Sequence, residues 1–177
     1  MIEQFLNWNI SRELIIISVS ALPVVELRGA LPIAINLFHM PWYKAFCLAV
    51  IGNLLPVPIL LLFLDPLAKA VSRVGVGRRL INWVFSHTRR RGKTIEKYER
   101  IGLTLFVAIP LPITGAWTGS IAAFLLGLRL RYAFLSIVIG VVIAGAIVTS
   151  LCLLGWLGAV IAGIGLGALA ILGWRRT

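Results

Sequence analysis

The chain has 177 residues, of which 60% are hydrophobic and only 13% are charged. A soluble domain is typically about 45–50% apolar and about 25% charged, so this composition predicts an integral membrane protein. The charges are unequal, with 17 lysine and arginine residues against 6 acidic ones and a net charge of +11. Because the basic residues lie between long uncharged stretches, they favour cytoplasmic membrane flanks over nucleic-acid binding.

The N-terminal part of the chain contains an interfacial segment and two apolar blocks. Residues 1–13 interleave apolar and polar side chains around Trp8, a pattern typical of a short helix in the membrane interface. Residues 45–64 carry no charge and are long enough for one span, which needs about 20 residues. Between them, residues 14–43 are apolar but are interrupted by Pro23, by Glu26 and Arg28, and by Pro32.

The rest of the chain begins with the largest polar stretch, residues 65–100, which holds ten of the 17 basic residues. The positive-inside rule therefore places this stretch in the cytoplasm. Residues 132–174 are uncharged and about twice as long as one span, so we expect two helices joined by a turn at residues 155–158. The uncharged block between them, residues 101–128, is interrupted by Pro110, Pro112, Gly115 and Gly119.

The charge rule also predicts how the two interrupted blocks meet the membrane. If residues 101–128 crossed it, four arginines would lie outside, namely Arg129, Arg131, Arg175 and Arg176. A re-entrant hairpin that returns to the cytoplasmic side keeps all four inside, so we favour this arrangement. Residues 14–40 are the mirror case, because a plain span would place Glu26 and Arg28 in mid-membrane. We favour a second hairpin here, with the N-terminus outside; a span with a cytoplasmic N-terminus is the alternative.

The two halves of the chain resemble each other at an offset of 88 residues. Pairs that match at this offset are Ala34 with Ala122, Leu37 with Leu125, Phe46 with Phe134, Ile51 with Ile139, and Gly52 with Gly140. Each half consists of a proline-broken hairpin followed by an uncharged helix. Since charge assigns the hairpins to opposite faces, the pattern predicts an inverted repeat, which is common in secondary transporters with a substrate site at the bilayer midplane.

Glu26 and Arg28 are the strongest candidates for a functional site. They lie two positions apart in the first hairpin, where a central charge costs about 2.5–3.5 kcal/mol on insertion scales, so each should face a cavity or a partner. We interpret Glu26 as a proton or cation site and Arg28 as the anchor for an anionic group, with Pro32 closing the motif. The alternative is a structural ion pair that holds the hairpin turn.

The second hairpin supplies further candidates. Prolines free the carbonyl groups of the preceding turn, and N–H groups and hydroxyls at the start of a half-helix are suited to an anion. The candidates are Pro110, Pro112, Thr114, Gly115, Trp117, Thr118 and Gly119, with Asn53 of the neighbouring span lining the same cavity. Two alternatives stay open, namely a small-residue packing stripe from Gly115 to Gly127 and an internally satisfied Asn53 in a kinked span.

The sequence does not indicate an enzyme or a cofactor. It has no Walker loop, HExxH or CxxC motif and no nucleophile–base pair. The polar part is too short for a nucleotide-binding domain, so we expect pumping to use an ion gradient or simple exchange. The expected partners are membrane lipids, a proton or other cation and, through the small-residue stripe at Ala159, Gly163 and Gly167, a second copy of the chain.

The chain resembles the bacterial and archaeal small multi-drug export proteins at two motifs, Glu26-Leu-Arg-Gly-Ala-Leu-Pro32 and Ile109-Pro-Leu-Pro-Ile-Thr-Gly-Ala-Trp-Thr-Gly119. The likeness runs from about residue 14 to residue 156. That family looks distantly related to the DedA/VTT membrane proteins, which have two opposed re-entrant hairpins and are implicated in moving polyprenyl phosphate or other lipids.

The resemblance implies that Glu26 matches the essential acid of the first DedA hairpin. The second hairpin departs from the DedA pattern, in which arginines surround a proline. In this chain Val107 stands before Pro110, and Gly115 and Ala116 follow it. If a phosphate is bound, Arg28 or backbone amides must therefore hold it.

These observations predict an all-α integral protein of the inner membrane, with a DedA-like inverted repeat, two opposed re-entrant hairpins (14–40 and 101–128) and three transmembrane helices (45–64, 133–154 and 157–174). The predicted units are an interfacial helix (1–13), a first repeat (14–64), a basic cytoplasmic loop (65–100), a second repeat (101–156) and a C-terminal span with a cytoplasmic basic tail (157–177). We expect a transporter or flippase for an anionic amphipathic lipid such as a polyprenyl phosphate, proton-coupled through Glu26. The alternatives are efflux of small hydrophobic cationic drugs, in which Glu26 attracts the drug, and a non-transporting scaffold whose basic loop docks a partner.

Overall fold

The computed structural model describes residues 11–71, 93–111, 114–155 and 163, and this part of the chain is helical with no β-strand. The prediction of an all-α chain is therefore confirmed for the residues described. The helices in chain order are α1 (Arg12–Ala21), α2 (Glu26–Pro32), a π-helical turn (Ile33–Leu37), α3 (Trp42–Leu54), α4 (Pro56–Val71), α5 (Lys93–Ala108), α6 (Ala116–Leu125) and α7 (Leu130–Leu153).

The first broken segment, residues 12–37, comprises α1, α2 and the π-turn. The Ser11 hydroxyl accepts a hydrogen bond from a backbone N–H in the first turn of α1 and so caps this helix. α1 ends where Leu22 becomes extended, because Pro23 disfavours a helical conformation in the residue before it. After a four-residue break α2 begins, and at Pro32, which has no N–H to donate, the α-helix gives way to the π-turn.

The two ends of the first broken segment lie close together. The Arg12 guanidinium lies 5.9 Å from the centroid of the Phe38 ring, which follows the π-turn. The Lys44 ammonium, in the first turn of α3, forms a salt bridge of 2.7 Å with Glu13. The start of α1, the end of the π-turn and the start of α3 therefore share one end of the molecule. The chain therefore runs from this end to the break at residues 22–25 and then returns to the same end.

Two helical stretches are long and apolar enough to cross a membrane, Trp42–Leu64 and Leu130–Leu153. They correspond to the predicted spans 45–64 and 133–154. The first is interrupted at Leu55 and continues as α4 to Val71, so helix extends into the predicted loop 65–100 at one end, as α5 does at the other. The predicted third span, 157–174, lies outside the described residues except for residue 163.

The second broken segment, residues 93–125, comprises α5, α6 and the break between them, and it packs against α7. The Arg100 guanidinium lies 3.1 Å from the centroid of the Tyr132 ring, near the start of α7. Further along α7, Gly140 lies against α5, and Gly145 lies beside Phe46 of α3 and beside α2. α7 therefore passes the second broken segment first and the first broken segment afterwards.

Two glycines at the 88-residue offset allow close approach of neighbouring helices. A Cβ atom on Gly52 would overlap the backbone carbonyl of Ile17 in α1. A Cβ atom on Gly140 would lie 2.9 Å from the Thr104 carbonyl oxygen in α5. In both halves the first helix of the broken segment thus packs closely on a glycine of the long helix that follows.

We expect Gly52→Ala and Gly140→Ala each to destabilise the fold, because overpacking a tight contact costs about 1–3 kcal/mol. The measurement is thermal unfolding of the purified protein in detergent. Gly102→Ala is the matched control, because a Cβ atom there meets nothing within 4 Å. If the two variants unfolded at the same temperature as the control, the proposed close packing would be wrong.

Candidate functional site

The two helix breaks, residues 22–25 and 109–115, meet inside the fold. Side chains that follow each break reach across to the other broken segment. We call this contact the junction, and its members are Ala21, Glu26, Arg28, Ile109, Leu111, Thr114, Gly115 and Trp117. Its hydrogen bonds join residues 81 to 96 positions apart in the chain. The two helix breaks, at which the sequence predicts hairpin tips, are therefore in contact.

Arg28 binds the exposed end of α5. This helix ends at Ala108, so the carbonyl groups that follow lack helical partners, and Pro110 cannot donate to any of them. The half-buried Arg28 guanidinium donates to the Leu111 carbonyl oxygen, to the Ile109 carbonyl oxygen at 3.3 Å and to the Thr114 hydroxyl at 3.0 Å. A planar group with five N–H donors is well suited to several acceptors at once.

Glu26 binds the start of α6. Its side chain is buried, with 6% exposure, and its backbone has a positive φ of 50°, which is rare for a residue other than glycine. The carboxylate accepts a hydrogen bond of 3.4 Å from the Trp117 N–H and interacts with the amide of Ala116. A Cβ atom on Gly115 would overlap this carboxylate, so only glycine leaves it room.

The two charges therefore complement the two helix ends at the second break. The C-terminal end of a helix carries partial negative charge and here meets Arg28, while the N-terminal end carries partial positive charge and meets Glu26. Glu26 and Arg28 form no salt bridge with each other in the described part of the chain. The structural ion pair that the sequence left open is thus replaced by two separate contacts to the other broken segment.

Trp117 makes the reciprocal contact to the first break. Ala21 is the last residue of α1, and its carbonyl oxygen accepts a hydrogen bond of 3.0 Å from the Trp117 indole N–H. A side chain of each broken segment thus donates a hydrogen bond to a carbonyl group at a helix end of the other segment. The two acceptors, Ala21 and Ile109, are separated by the same 88 residues as Gly52 and Gly140.

The remaining predicted site residues lie around the junction or away from it. Pro110 is half-buried within the second break, and the Thr118 hydroxyl accepts from the Gly115 N–H at 2.9 Å. Gly119 is buried one turn into α6, where a Cβ atom would lie 2.6 Å from a methyl group of Val107, so it serves helix packing. Pro32 lies at the far end of α2, outside the junction, and Pro112 lies outside the described residues.

Asn53 is buried, with 3% exposure, and its Oδ1 atom has no hydrogen-bond partner among the described residues. The alternative of an internally satisfied amide therefore does not hold for this atom. In the described structure no hydrogen bond joins the Asn53 Oδ1 atom to Glu26 or Arg28. Thr149 in α7 has a similarly unpartnered hydroxyl among the described residues, and no sequence pattern distinguishes it, because a single threonine is common in an apolar helix.

Apolar side chains flank the accessible side of the junction. The hydrogen bond between Arg28 and the Ile109 carbonyl lies at the accessible surface. Leu22 and Val24 in the first break are 52% and 89% exposed, and Ile109 is 46% exposed. Both breaks thus carry exposed apolar residues, and one of them, Ile109, provides a carbonyl that accepts from Arg28.

Fold and site together define a helical membrane protein with two candidate spans and a polar contact between two broken helices. The family model described as "Putative small multi-drug export protein" matches residues 26–147, which begin at Glu26 and include the whole second break. The chain belongs to this family, whose name refers to multi-drug export, and the predicted resemblance to small multi-drug export proteins is confirmed. No curated protein and no solved structure matches the chain, so the likeness to DedA proteins stays a prediction.

Proposed function

We propose that the chain is a transporter of an anionic amphipathic lipid, such as a polyprenyl phosphate, and that the junction is its translocation site. The observation that carries the proposal is that the Arg28 guanidinium and the N–H groups at the start of α6, which hold the Glu26 carboxylate, lie in one junction with exposed apolar side chains. The polar groups suit a phosphate, and the apolar border suits a hydrocarbon chain.

Interfacial residues support a membrane placement with the junction near the midplane. Gly145 of α7 lies beside Phe46 of α3, so the distance from Tyr132 to Trp42 across the membrane is the sum of two helix rises. At about 1.5 Å per residue, α7 rises about 20 Å from Tyr132 to Gly145, and α3 adds about 6 Å from Phe46 back to Trp42. The sum is close to the hydrocarbon thickness of about 30 Å. Trp42 and its neighbour Tyr43, both exposed, would lie at one boundary, and the exposed Arg131 at the other.

Both broken segments then reach about halfway across the membrane. α1 has 10 residues and rises about 15 Å, and α5 rises about 12 Å from Arg100 to Ala108. We therefore propose two re-entrant hairpins entering from opposite faces. The reciprocal contacts of Arg28 and Trp117 and the paired Gly52 and Gly140 favour an inverted repeat. By the charge rule, the face near residues 65–100 and the C-terminus is cytoplasmic, in the inner membrane.

The family description refers to multi-drug export and so favours a second candidate, drug efflux, which we specify as efflux of hydrophobic cationic drugs. In that case Glu26 would attract the cation. The local charge argues against it, because the positive Arg28 guanidinium acts electrostatically on Glu26 and would repel a cation bound there. A bound anion can instead replace the Glu26 carboxylate at α6.

The test is flux in proteoliposomes with two probes, a fluorescently labelled short-chain polyprenyl phosphate and ethidium. We expect the protein to accelerate movement of the phosphate probe between leaflets, under an imposed pH gradient, and to leave ethidium flux unchanged. Glu26→Gln should lose the response to the gradient, while Glu13→Gln, at the exposed salt bridge far from the junction, should retain it.

The opposite pattern, with ethidium moved and the phosphate probe left in place, would establish the drug-efflux candidate. Absence of flux for both probes would reject transport and favour the scaffold alternative. A Glu26→Gln protein that responds to the pH gradient like the unaltered chain would remove the proton-coupling role of Glu26.

A further inference from the structure

The Glu26 carboxylate occupies the N–H groups that a transported anion would need. It lies against Gly115 at the start of α6 and accepts from the Trp117 N–H. One pair of N–H groups cannot bind two anions in the same space. Resting on the proposed function, the geometry therefore implies that the substrate anion and the Glu26 carboxylate exclude each other.

A displaced Glu26 has no other cation to receive it. The elements packed against α2 are α1, the π-turn, α3 and α7. Their charged or titratable side chains lie toward the ends of these helices or face outward, and they are Arg12, Glu13, Tyr43, Lys44, Cys47, Arg131, Tyr132 and Cys152. Arg28 is the only charged group in the described chain with an electrostatic effect on Glu26, and its donors already bind two carbonyl groups and the Thr114 hydroxyl.

A carboxylate moved into an apolar interior without its donors is strongly disfavoured, and it becomes neutral by taking up a proton. The charge count at the junction supports this outcome. In the empty site the negative Glu26 balances Arg28, and in the loaded site the substrate anion balances Arg28 only if Glu26 is neutral. The exchange is balanced when one proton from solution binds the Glu26 carboxylate as one anion binds α6.

We infer that Glu26 is an internal competitor which closes the empty site, and that each anion binds together with one proton. The consequence is symport of proton and anion, with a loaded site that carries the same net charge as the empty one. The empty transporter returns with Glu26 ionised and bound to α6. This conclusion specifies how the proposed site is regulated and which ion accompanies the substrate.

The experiment is calorimetric titration of the whole protein in maltoside detergent with dihexyl phosphate, an amphipathic phosphodiester whose charge is constant near neutral pH. Titration in two buffers of different ionisation enthalpy counts the protons taken up for each anion bound. We expect one proton per anion, and an affinity that falls about tenfold for each unit of pH increase while Glu26 is ionised in the empty site. Glu13→Gln, remote from the junction, should behave like the unaltered chain.

Glu26→Gln should bind dihexyl phosphate without proton uptake and with no dependence on pH, because the amide cannot compete as an anion. If this variant fails to fold, the number of protons taken up per anion by the unaltered chain is sufficient to test the inference. Binding without proton uptake in the unaltered chain would overturn the inference but leave the anion site standing. Failure of dihexyl phosphate to bind at all would reject the proposed function itself.

Discussion

Replacing Arg28 with methionine should lower the thermal unfolding temperature by about 6–12 °C and abolish transport. The substitution leaves the Ile109 and Leu111 carbonyls and the Thr114 hydroxyl without this donor and leaves Glu26 without its balancing charge. A hydrogen bond from a charged donor contributes about 1.5–3 kcal/mol, so losing these half-buried contacts should cost about 3 kcal/mol. For a chain of this size each kcal/mol corresponds to about 2–4 °C. The measurements are unfolding in detergent and flux of the labelled polyprenyl phosphate.

Two variants show whether the geometry of Arg28 or its charge matters. Arg28→Lys keeps the charge but cannot reach several acceptors with a planar fork, so we expect an intermediate stability and little transport. Arg12→Met removes a charge that only lies over the Phe38 ring, and it should cost no more than about 1 kcal/mol. If Arg28→Met were as stable as Arg12→Met, the assignment of Arg28 to the end of α5 would be wrong.

Gly115→Ala should displace the Glu26 carboxylate from the start of α6. The backbone φ of Gly115 is −176°, an extended conformation that alanine also adopts, so the effect comes from overlap of the new Cβ atom with the carboxylate. We expect a loss of about 1–3 kcal/mol of stability, as for other overpacked contacts, and loss of the pH response of transport. Gly102→Ala, where the Cβ atom meets open space, is the control.

A double-mutant cycle with Glu26→Ala isolates the contact. Once the carboxylate is removed, the alanine at position 115 has room, so Gly115→Ala should cost less than about 0.5 kcal/mol in that background. The same cost of Gly115→Ala with and without the Glu26 side chain would show that the two residues do not touch.

The positions of the helix breaks were predictable because their causes are local. Pro23 ends α1, and the break from Ile109 to Gly115 contains the predicted Pro110. The limits of the helices were less predictable. α3 starts at Trp42 rather than at residue 45, and α4 continues to Val71, because neither an aromatic residue at a helix start nor a lysine or aspartate near a helix end interrupts backbone hydrogen bonding.

The partners of the candidate residues needed the tertiary structure. The missing N–H group of proline predicts that carbonyl groups near Pro110 lose their helical donors, but it does not predict which side chain replaces those donors. The hydrogen bonds from Arg28 to Ile109 and from Trp117 to Glu26 span 81 and 91 residues. Contacts at such separations depend on how the helices cross. The periodicity of residues within one helix does not predict that crossing.

The sequence by itself determined the membrane class, the family motifs and the two proline-broken segments, since hydropathy, charge and the missing proline N–H act within one or two helical turns. Only the tertiary structure decided that Glu26 and Arg28 bind opposite ends of the second break. The reason is electrostatic and non-local. The two charges are stabilised by helix ends of opposite polarity, and those ends come within reach only after the broken segments have packed together.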